Sequence, residues 1–304
     1  MNIGSLCTGY GGLDMAIDGD TVWVSDIDKH AAKLLAHRFP TVPNLGDLTA
    51  VDWESVEPVD ILTAGYPCQP FSHAGKREGQ NDGRHIWPHI ANAIRVLRPG
   101  HVFLENVPGH LSLGFGDVLA DLAQVGYDAR WVCVRASDVG APHRRERLFI
   151  LATNTQRDRS DRWGNPIDVA GTSRTSETDS EQRQRNGDTV SDSSTTPPDS
   201  DQSGRKGAEP AERRHLSVWG DYAPAVEHWE RTIGRPAPRP TMDSGNRPVL
   251  NPAFVEWMMG LPAGWVTDVP GISRTGQLHL LGNGVVPQQA RAALSALTAM
   301  AVAA

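Results

Sequence analysis

The sequence of 304 residues has few cysteines and no long apolar run. Its three cysteines, Cys7, Cys68 and Cys133, form no Cys-x-x-Cys pair, which argues against a disulfide framework and a structural zinc site. No apolar stretch reaches the roughly 18 residues that a membrane-spanning helix needs. The first residues lack the basic and apolar segments of a secretory signal. We therefore expect a cytoplasmic protein with no membrane partner.

Positive charge is not in excess either, because the net charge is −7 and the acidic residues concentrate in the N-terminal third. The rest of the chain is close to neutral. Charge therefore neither favours nor excludes a nucleic-acid partner.

Short apolar runs alternate with helical spacing of apolar residues over the first 150 residues. The helical spacing runs from Ile86 to Leu97 and again from Val118 to Val125. The alternation predicts an α/β protein with a mostly parallel, doubly wound sheet, in which ligands bind beyond the carboxyl ends of the strands. The predicted strands lie in "NIGSLCTG", "TVWVSDID", "DILTAG", "HVFLENV", "DARWVCVRASDVG" and "RLFILAT".

The composition changes after Asn154. Residues 155–213 are rich in Ser, Thr, Asp, Arg and Gln, with very few large apolar residues, which predicts disorder. Order is predicted to resume with a helix that carries Trp229. A final helix opens at Pro287. Four residues are expected to pack a core, namely Trp257, Met258, Met259 and Trp265.

A glycine loop, Thr8–Gly12, follows the first predicted strand. Glycines there let a backbone approach a ligand closely, although the loop could equally be a tight turn. Asp26 and Asp28 end the second strand, where an acid commonly accepts hydrogen bonds from ribose hydroxyls. Asp47 could accept a bond from an adenine amine or simply cap a turn. Together these residues predict an adenosine-type cofactor.

Cys68 lies between Pro67 and Pro70, which restrict the backbone on both sides of the thiol. A loop of this kind presents a nucleophile at a set angle, whereas an isolated cysteine is usually a small buried hydrophobe. Cys133 lies in an apolar strand and is predicted to be inert.

Glu105 ends an apolar strand, where a carboxylate is costly unless it is paired or functional. Arg145 and Arg147 are two residues apart, so they face the same side of an extended segment. They lead directly into a predicted buried strand. This predicts that they lie near the end of the sheet, although a surface basic cluster is the simpler alternative.

The order of these motifs resembles that of the DNA (cytosine-5)-methyltransferase family, of bacterial or phage type, over residues 3–152 and 247–302. The motifs are Gly9-x-Gly11-Gly12, Pro67-Cys68-Gln69, Glu105-Asn106-Val107, Arg145-x-Arg147 and Gly282-Asn283-Gly284-Val285-Val286-Pro287. The resemblance implies a Rossmann-like methyltransferase fold. It also implies a catalytic and cofactor domain (1–152), a small, partly disordered target-recognition region (153–246) and a C-terminal segment (247–304) that completes the catalytic domain.

In that family a methyl group passes from S-adenosylmethionine to carbon 5 of a cytosine flipped out of double-stranded DNA. The resemblance implies that Cys68 attacks carbon 6 and that Glu105 holds or protonates ring nitrogen 3. Arg147, with Arg145 as a second candidate, would grip the base oxygen. No metal is implied, and His85 and His89 lack a third ligand.

The resemblance also assigns the cofactor site. The implied cofactor-binding residues are Cys7, Thr8, Gly9, Tyr10, Gly11, Gly12, Asp26, Ile27, Asp47, Leu48, Asn283 and Val285. Two positions depart from the family pattern, since Cys7 stands where phenylalanine is frequent and His143 where glutamine is usual.

Within the recognition region, residues 216–246 are expected to read DNA, with Arg231, Arg235 and Arg239 on phosphates or merely solvated. We expect a monomer, with a cognate restriction endonuclease as a possible partner. Two alternatives remain open at this point, a dinucleotide-dependent oxidoreductase and a catalytically silent DNA-binding relative.

Overall fold

The structure, a computed structural model, describes residues 1–67, 86–156, 219–245 and 247–302. All six predicted strands form one sheet. Its strands are β1 (Asn2–Leu6), β2 (Asp20–Ser25), β3 (Ile61–Gly65), β4 (His101–Asn106), β5 (Tyr127–Arg135) and β6 (Glu146–Asn154). The helices are α1 (Lys29–Arg38), α2 (Trp87–Leu97), α3 (Phe115–Gln124), α4 (Ala223–Ile233), α5 (Pro252–Met258), α6 (Arg274–Asn283) and α7 (Pro287–Val302). A hairpin, β7 (Thr241–Ser244) and β8 (Arg247–Leu250), lies between α4 and α5.

The sheet is mostly parallel, with the strand order β2-β1-β3-β4-β6-β5. Strands β1 to β4 pair in parallel, whereas β6 runs antiparallel to both β4 and β5. Asn106, the last residue of β4, therefore pairs with Leu148 near the start of β6. This reversal places the beginning of β6 at the carboxyl edge of the parallel strands, where ligands bind in such sheets.

Successive residues of each strand point to opposite faces of the sheet, and each face packs against a separate hydrophobic core. Leu62 and Leu104 belong to the core that includes α2 and α3. Ile61 and Phe103 belong to a second core, which includes α7. Helices on both faces confirm the prediction of a doubly wound α/β fold.

Helix α1 was not predicted, although its start has a clear sequence signal. The Asp28 carboxylate accepts hydrogen bonds from the backbone of His30 and Ala31, which makes it an N-cap. Its apolar stripe is short, with Leu34 and Leu35 buried.

The predicted core residues near the C-terminus are buried or half-buried. Trp257 and Met259 are buried, and the Trp257 carbonyl accepts a hydrogen bond from the Trp229 indole. Glu256 is also buried, and it accepts hydrogen bonds from Gly264, Val266 and Thr267. In the part of the chain that the structure describes, no helix is long and apolar enough to cross a membrane.

Several predictions fall on residues outside the described ranges. These are the nucleophile Cys68 with its flanking Gln69 and Pro70, His85, and all but the start of the stretch predicted to be disordered. That start, Thr155 and Gln156, hydrogen-bonds to Gly126 and Arg98.

Candidate active site

The glycine loop follows β1 and has backbone angles that few side chains adopt. Gly9 and Gly11 have φ values of +58° and +79°, and Cys7 has +50°. The Gly9 amide donates to one carboxylate oxygen of Asp26 at 2.8 Å, and the Asp28 amide donates to the other at 2.8 Å. The acid at the end of β2 therefore holds the loop in place as well as facing the cavity described below.

Cys7 lies in this loop and is half-buried. Burial, reinforced by the nearby Asp26 carboxylate, raises the pKa of Cys7 to about 12. The thiol is therefore neutral near pH 7 and is not an activated nucleophile.

The C-terminal segment packs directly on the glycine loop. The Tyr10 hydroxyl donates to the carbonyl of Val285 at 2.8 Å. A Cβ atom on Gly12 would lie 2.3 Å from that same carbonyl oxygen, and one on Gly284 would lie 1.8 Å from the Tyr10 ring. Glycine is thus required at both positions by close packing.

We predict that Gly284→Ala lowers the free energy of unfolding by about 1–3 kcal/mol, because the added methyl group displaces Tyr10. Urea denaturation measures the change. Gly109→Ala is the matched control, since nothing lies within 4 Å of its Cβ position. Equal effects of the two substitutions would contradict the tight contact at Gly284.

At the other end of the site, Glu105 and Arg147 form an ion pair. Arg147 Nε lies 2.8 Å from Glu105 Oε1, and only 9% of the Glu105 side chain is exposed. Burial raises the pKa of Glu105, and the guanidinium of Arg147 limits that rise. The pair forms because β6 runs antiparallel and begins where β4 ends.

The two arginines of the motif contact different parts of the structure. Whereas Arg147 meets Glu105, the terminal nitrogens of Arg145 donate to the carbonyls of Gly282 and Gly284, each at 2.9 Å. His143, also in this motif, lies 3.1 Å from the carbonyl of Met258. The motif thus joins the end of the sheet to the C-terminal segment.

Hydrogen bonds of polar side chains stabilise the chain at the end of β3, shortly before Cys68. The Asn106 amide donates to the carbonyl of Tyr66 at 3.2 Å. The Tyr66 hydroxyl lies 2.9 Å from Nε2 of His110. Burial lowers the pKa of His110, which favours the neutral ring. The position of Pro67, directly before Cys68, is thereby supported from β4.

One cavity of about 510 Å³ joins the glycine loop to the Glu105–Arg147 pair, a volume in the range of small-molecule sites. Pro67 also lines it. The other lining residues used below are Cys7, Thr8, Gly9, Gly12, Asp26, Asp28, Glu105, Arg145, Arg147, His279, Gly282, Asn283, Gly284 and Val285.

Comparison with known proteins identifies the family to which the chain belongs. The family model described as C-5 cytosine-specific DNA methylase matches residues 1–298. The chain belongs to this family.

Curated relatives match about half of the chain. It is 35% identical to the type II methyltransferase M.MspI of Moraxella sp over 156 residues, which cover 48% of this chain and 37% of the relative. It is 32% identical to M.HhaI of Haemophilus parahaemolyticus over 154 residues, or 48% of this chain and 47% of the relative. The matched region thus spans less than half the length of either relative.

Two solved structures share the fold. The Dnmt2 methyltransferase of S. pombe superposes with a TM-score of 0.61 at 15% identity, covering 99% of both chains. A putative DNA modification methyltransferase of an E. coli prophage has a TM-score of 0.58 at 20% identity, also covering 99% of both chains. Family membership overturns the alternative of a dinucleotide-dependent oxidoreductase.

The structure brings together most of the predicted site residues that it describes, but not all of them. Tyr10 and Gly11 belong to the glycine loop itself, and both are buried. Ile27 is 76% exposed beside Asp26, Leu48 packs in the core, and the Asp47 carboxylate accepts hydrogen bonds from Thr49. These five residues do not line the cavity.

Sequence reasoning missed Asp14, a carboxyl group buried next to the glycine loop. Its Oδ1 accepts a hydrogen bond from the Thr63 hydroxyl at 2.5 Å, whereas Oδ2 has no partner among the described residues. Burial raises the pKa of Asp14 from 3.8 to about 6. The signal was present in the sequence as an acid within "GGLDMA", but an acid next to glycines is common in turns.

Because its folded-state pKa is raised, Asp14 favours folding when protonated, and this contribution is lost as the pH rises from 3.8 to about 6. We predict that the wild-type protein loses about 2–3 kcal/mol more unfolding free energy than Asp14→Asn across that window. Urea denaturation at several pH values measures this difference. If the unfolding free energies of the two proteins change in parallel with pH, the pKa of Asp14 is not raised in the folded protein.

Proposed function

We propose that the chain is a DNA cytosine-5 methyltransferase that uses S-adenosylmethionine and double-stranded DNA. The observation that carries the proposal is the shared cavity. It connects a glycine loop with an acid at the end of β2 to a buried carboxyl–arginine pair, and Pro67 lies on its wall. A reaction between two ligands needs both binding ends to open into one space.

The chemistry of the cavity fits S-adenosylmethionine. This molecule carries positive charge on its sulfonium and ammonium groups, and the lining includes the carboxyl groups of Asp26 and Asp28. Nothing lies within 4 Å of the Cβ position of Gly9, so the loop leaves open space there. When bound, the cofactor supplies an activated methyl group.

At the base end, Glu105 would act on ring nitrogen 3 of the cytosine. Its raised pKa favours the protonated form, which can donate a hydrogen bond to that nitrogen. Arg147 orients the carboxyl group and brings a guanidinium to the base oxygen. Both groups withdraw electron density from the ring and make carbon 6 open to attack.

The proposed nucleophile is the thiolate of Cys68, which adds to carbon 6 of a cytosine flipped out of the duplex. The electron pair displaced by this addition would make carbon 5 nucleophilic. Carbon 5 would form its bond to the methyl group while the bond between that methyl group and the sulfonium sulfur breaks, with the neutral thioether S-adenosylhomocysteine as the leaving group. A base then removes the proton on carbon 5. The carbon 6–sulfur bond breaks, which restores the aromatic ring and the free cysteine.

The target-recognition role of residues 153–246 is part of this proposal. Arg231 and Arg239 are exposed, as phosphate contacts require. Arg235 does not fit that role, because its guanidinium is half-buried and donates to the carbonyl of Leu261. Exposed side chains of the hairpin, among them Met242 and Arg247, are further candidates for DNA contact.

Incubation with tritiated S-adenosylmethionine and mixed-sequence duplex DNA tests the function. We expect methyl groups at carbon 5 of cytosine within a fixed target sequence, which bisulfite sequencing identifies. Failure to label any DNA by a protein that binds the cofactor would leave the catalytically silent relative as the better assignment.

We extend the proposal to a monomeric enzyme with a cognate restriction endonuclease, because the curated relatives are named type II methyltransferases. DNA methylated by this chain should then resist cleavage by an endonuclease that recognises the same target. Sedimentation of the free protein tests the monomer.

A further inference from the structure

We propose that Arg145 is a positioning residue for the cofactor rather than a contact to the base. It would hold the turn Gly282–Gly284 against the glycine loop and thereby fix the cofactor end of the cavity. This inference rests on the proposed function, since it assigns the two ends of the cavity to cofactor and base.

The guanidinium of Arg145 lies at the C-terminal end of α6. The last carbonyl groups of a helix have no partners within the helix and carry partial negative charge. Arg145 donates to two carbonyls there, those of Gly282 and Gly284, at 2.9 Å each. A planar fork of donors can satisfy both carbonyls at once, whereas the single ammonium of a lysine cannot do so with the same geometry.

Arg145 is itself held from the opposite side. Its backbone carbonyl accepts a hydrogen bond from the Gln289 amide at 2.8 Å, and Gln289 is fully buried in α7. Arg145 thus connects the start of β6 with the helices on both sides of the Gly284 turn. Movement of that turn would require these bonds to break.

The turn that Arg145 holds forms a wall of the cofactor end. Gly282, Asn283, Gly284 and Val285 all line the cavity. Val285 also accepts the Tyr10 hydroxyl bond, which ties the same turn to the glycine loop. Loss of the Arg145 bonds should therefore loosen the cofactor end first. Arg147 makes no corresponding bond among the described residues, since it contacts the carboxylate of Glu105 and the backbone carbonyl of its neighbour Glu146.

The test compares Arg145→Lys with Arg147→Lys, and with Arg144→Lys as a matched control at an exposed neighbour. The dissociation constant of S-adenosylmethionine is measured calorimetrically without DNA, and KM and kcat are measured with DNA. For Arg145→Lys we expect the dissociation constant and the KM of S-adenosylmethionine to rise about tenfold each. Its kcat at saturating cofactor should fall less than about threefold. Arg147→Lys should show the reverse pattern, and Arg144→Lys should match the wild type.

Chemical rescue provides a second measurement that a purely structural defect would not reproduce. Guanidinium ion added to Arg145→Ala should restore part of the cofactor affinity, and it should not do so for Arg147→Ala. Equal cofactor affinity in wild type and Arg145→Lys, or a loss confined to kcat, would overturn the proposal. A wild-type protein that binds no S-adenosylmethionine would instead contradict the proposed function.

Discussion

Cys68→Ser is expected to abolish methyl transfer, with a loss of about 10³-fold or more, while the protein still binds S-adenosylmethionine. A serine hydroxyl is a far weaker nucleophile than a thiolate, so carbon 6 of the cytosine is not attacked. Without that addition, carbon 5 is not nucleophilic enough to accept a methyl group. Cofactor binding should persist because it depends on the glycine loop and the C-terminal turn. Incorporation of tritiated methyl groups into DNA measures the loss.

Mechanism-based trapping separates a missing nucleophile from a misfolded variant. Duplex DNA that carries 5-fluorocytosine cannot lose a proton from carbon 5, so the enzyme should remain covalently attached in the presence of the methyl donor. We expect the adduct with wild type and with the control Cys133→Ser, but not with Cys68→Ser. An adduct that survives the loss of Cys68 would reject the assignment of the nucleophile.

Glu105→Gln should lower kcat by about 10²–10³-fold and leave DNA affinity nearly unchanged. A glutamine can still accept or donate a hydrogen bond, but it cannot deliver a proton to ring nitrogen 3. The surface residue Glu146, which pairs with Arg135 at 3.4 Å, supplies the matched control Glu146→Gln. A normal rate in Glu105→Gln would remove the proposed role of the carboxyl group.

The pH dependence of kcat provides a second test of the role of Glu105. Burial raises the pKa of Glu105, so the proton that it donates is retained to higher pH than in an exposed glutamate. The wild-type kcat should therefore decline as the pH rises through that raised pKa. The Glu105→Gln variant lacks this decline, and an identical profile in both proteins would assign the titration to another group.

Much of the fold was predictable because its signals are local. The six apolar runs and the two helices on one face of the sheet follow from side-chain periodicity, which reflects burial on one or both sides. Helix α1 escaped prediction because only a narrow apolar stripe is buried. Its N-cap, Asp28, is predicted from its position at the end of the second strand to accept hydrogen bonds from ribose hydroxyls.

The candidate site was predictable where a motif ends a strand. Asp26 directly follows β2, and Glu105 lies near the end of β4. The carboxyl ends of these parallel strands meet at one edge of the sheet, so the approach of both residues to a common cavity follows from the topology. Asp47 is predicted from its loop position to accept a bond from an adenine amine, and Leu48 is assigned to the cofactor site by the resemblance alone. The structure places Asp47 in a turn and Leu48 in the core. Their assignment stays a prediction.

The sequence by itself determined the strand and helix pattern, the family motifs and the identity of the chemical groups, because each of these depends on residues close together in the chain. The tertiary structure alone decided how Arg145 and Arg147 divide their contacts. One reaches a helix end well over a hundred residues away, and the other reaches Glu105 across an antiparallel strand pair. Such contacts depend on strand direction and helix packing, which no local pattern encodes.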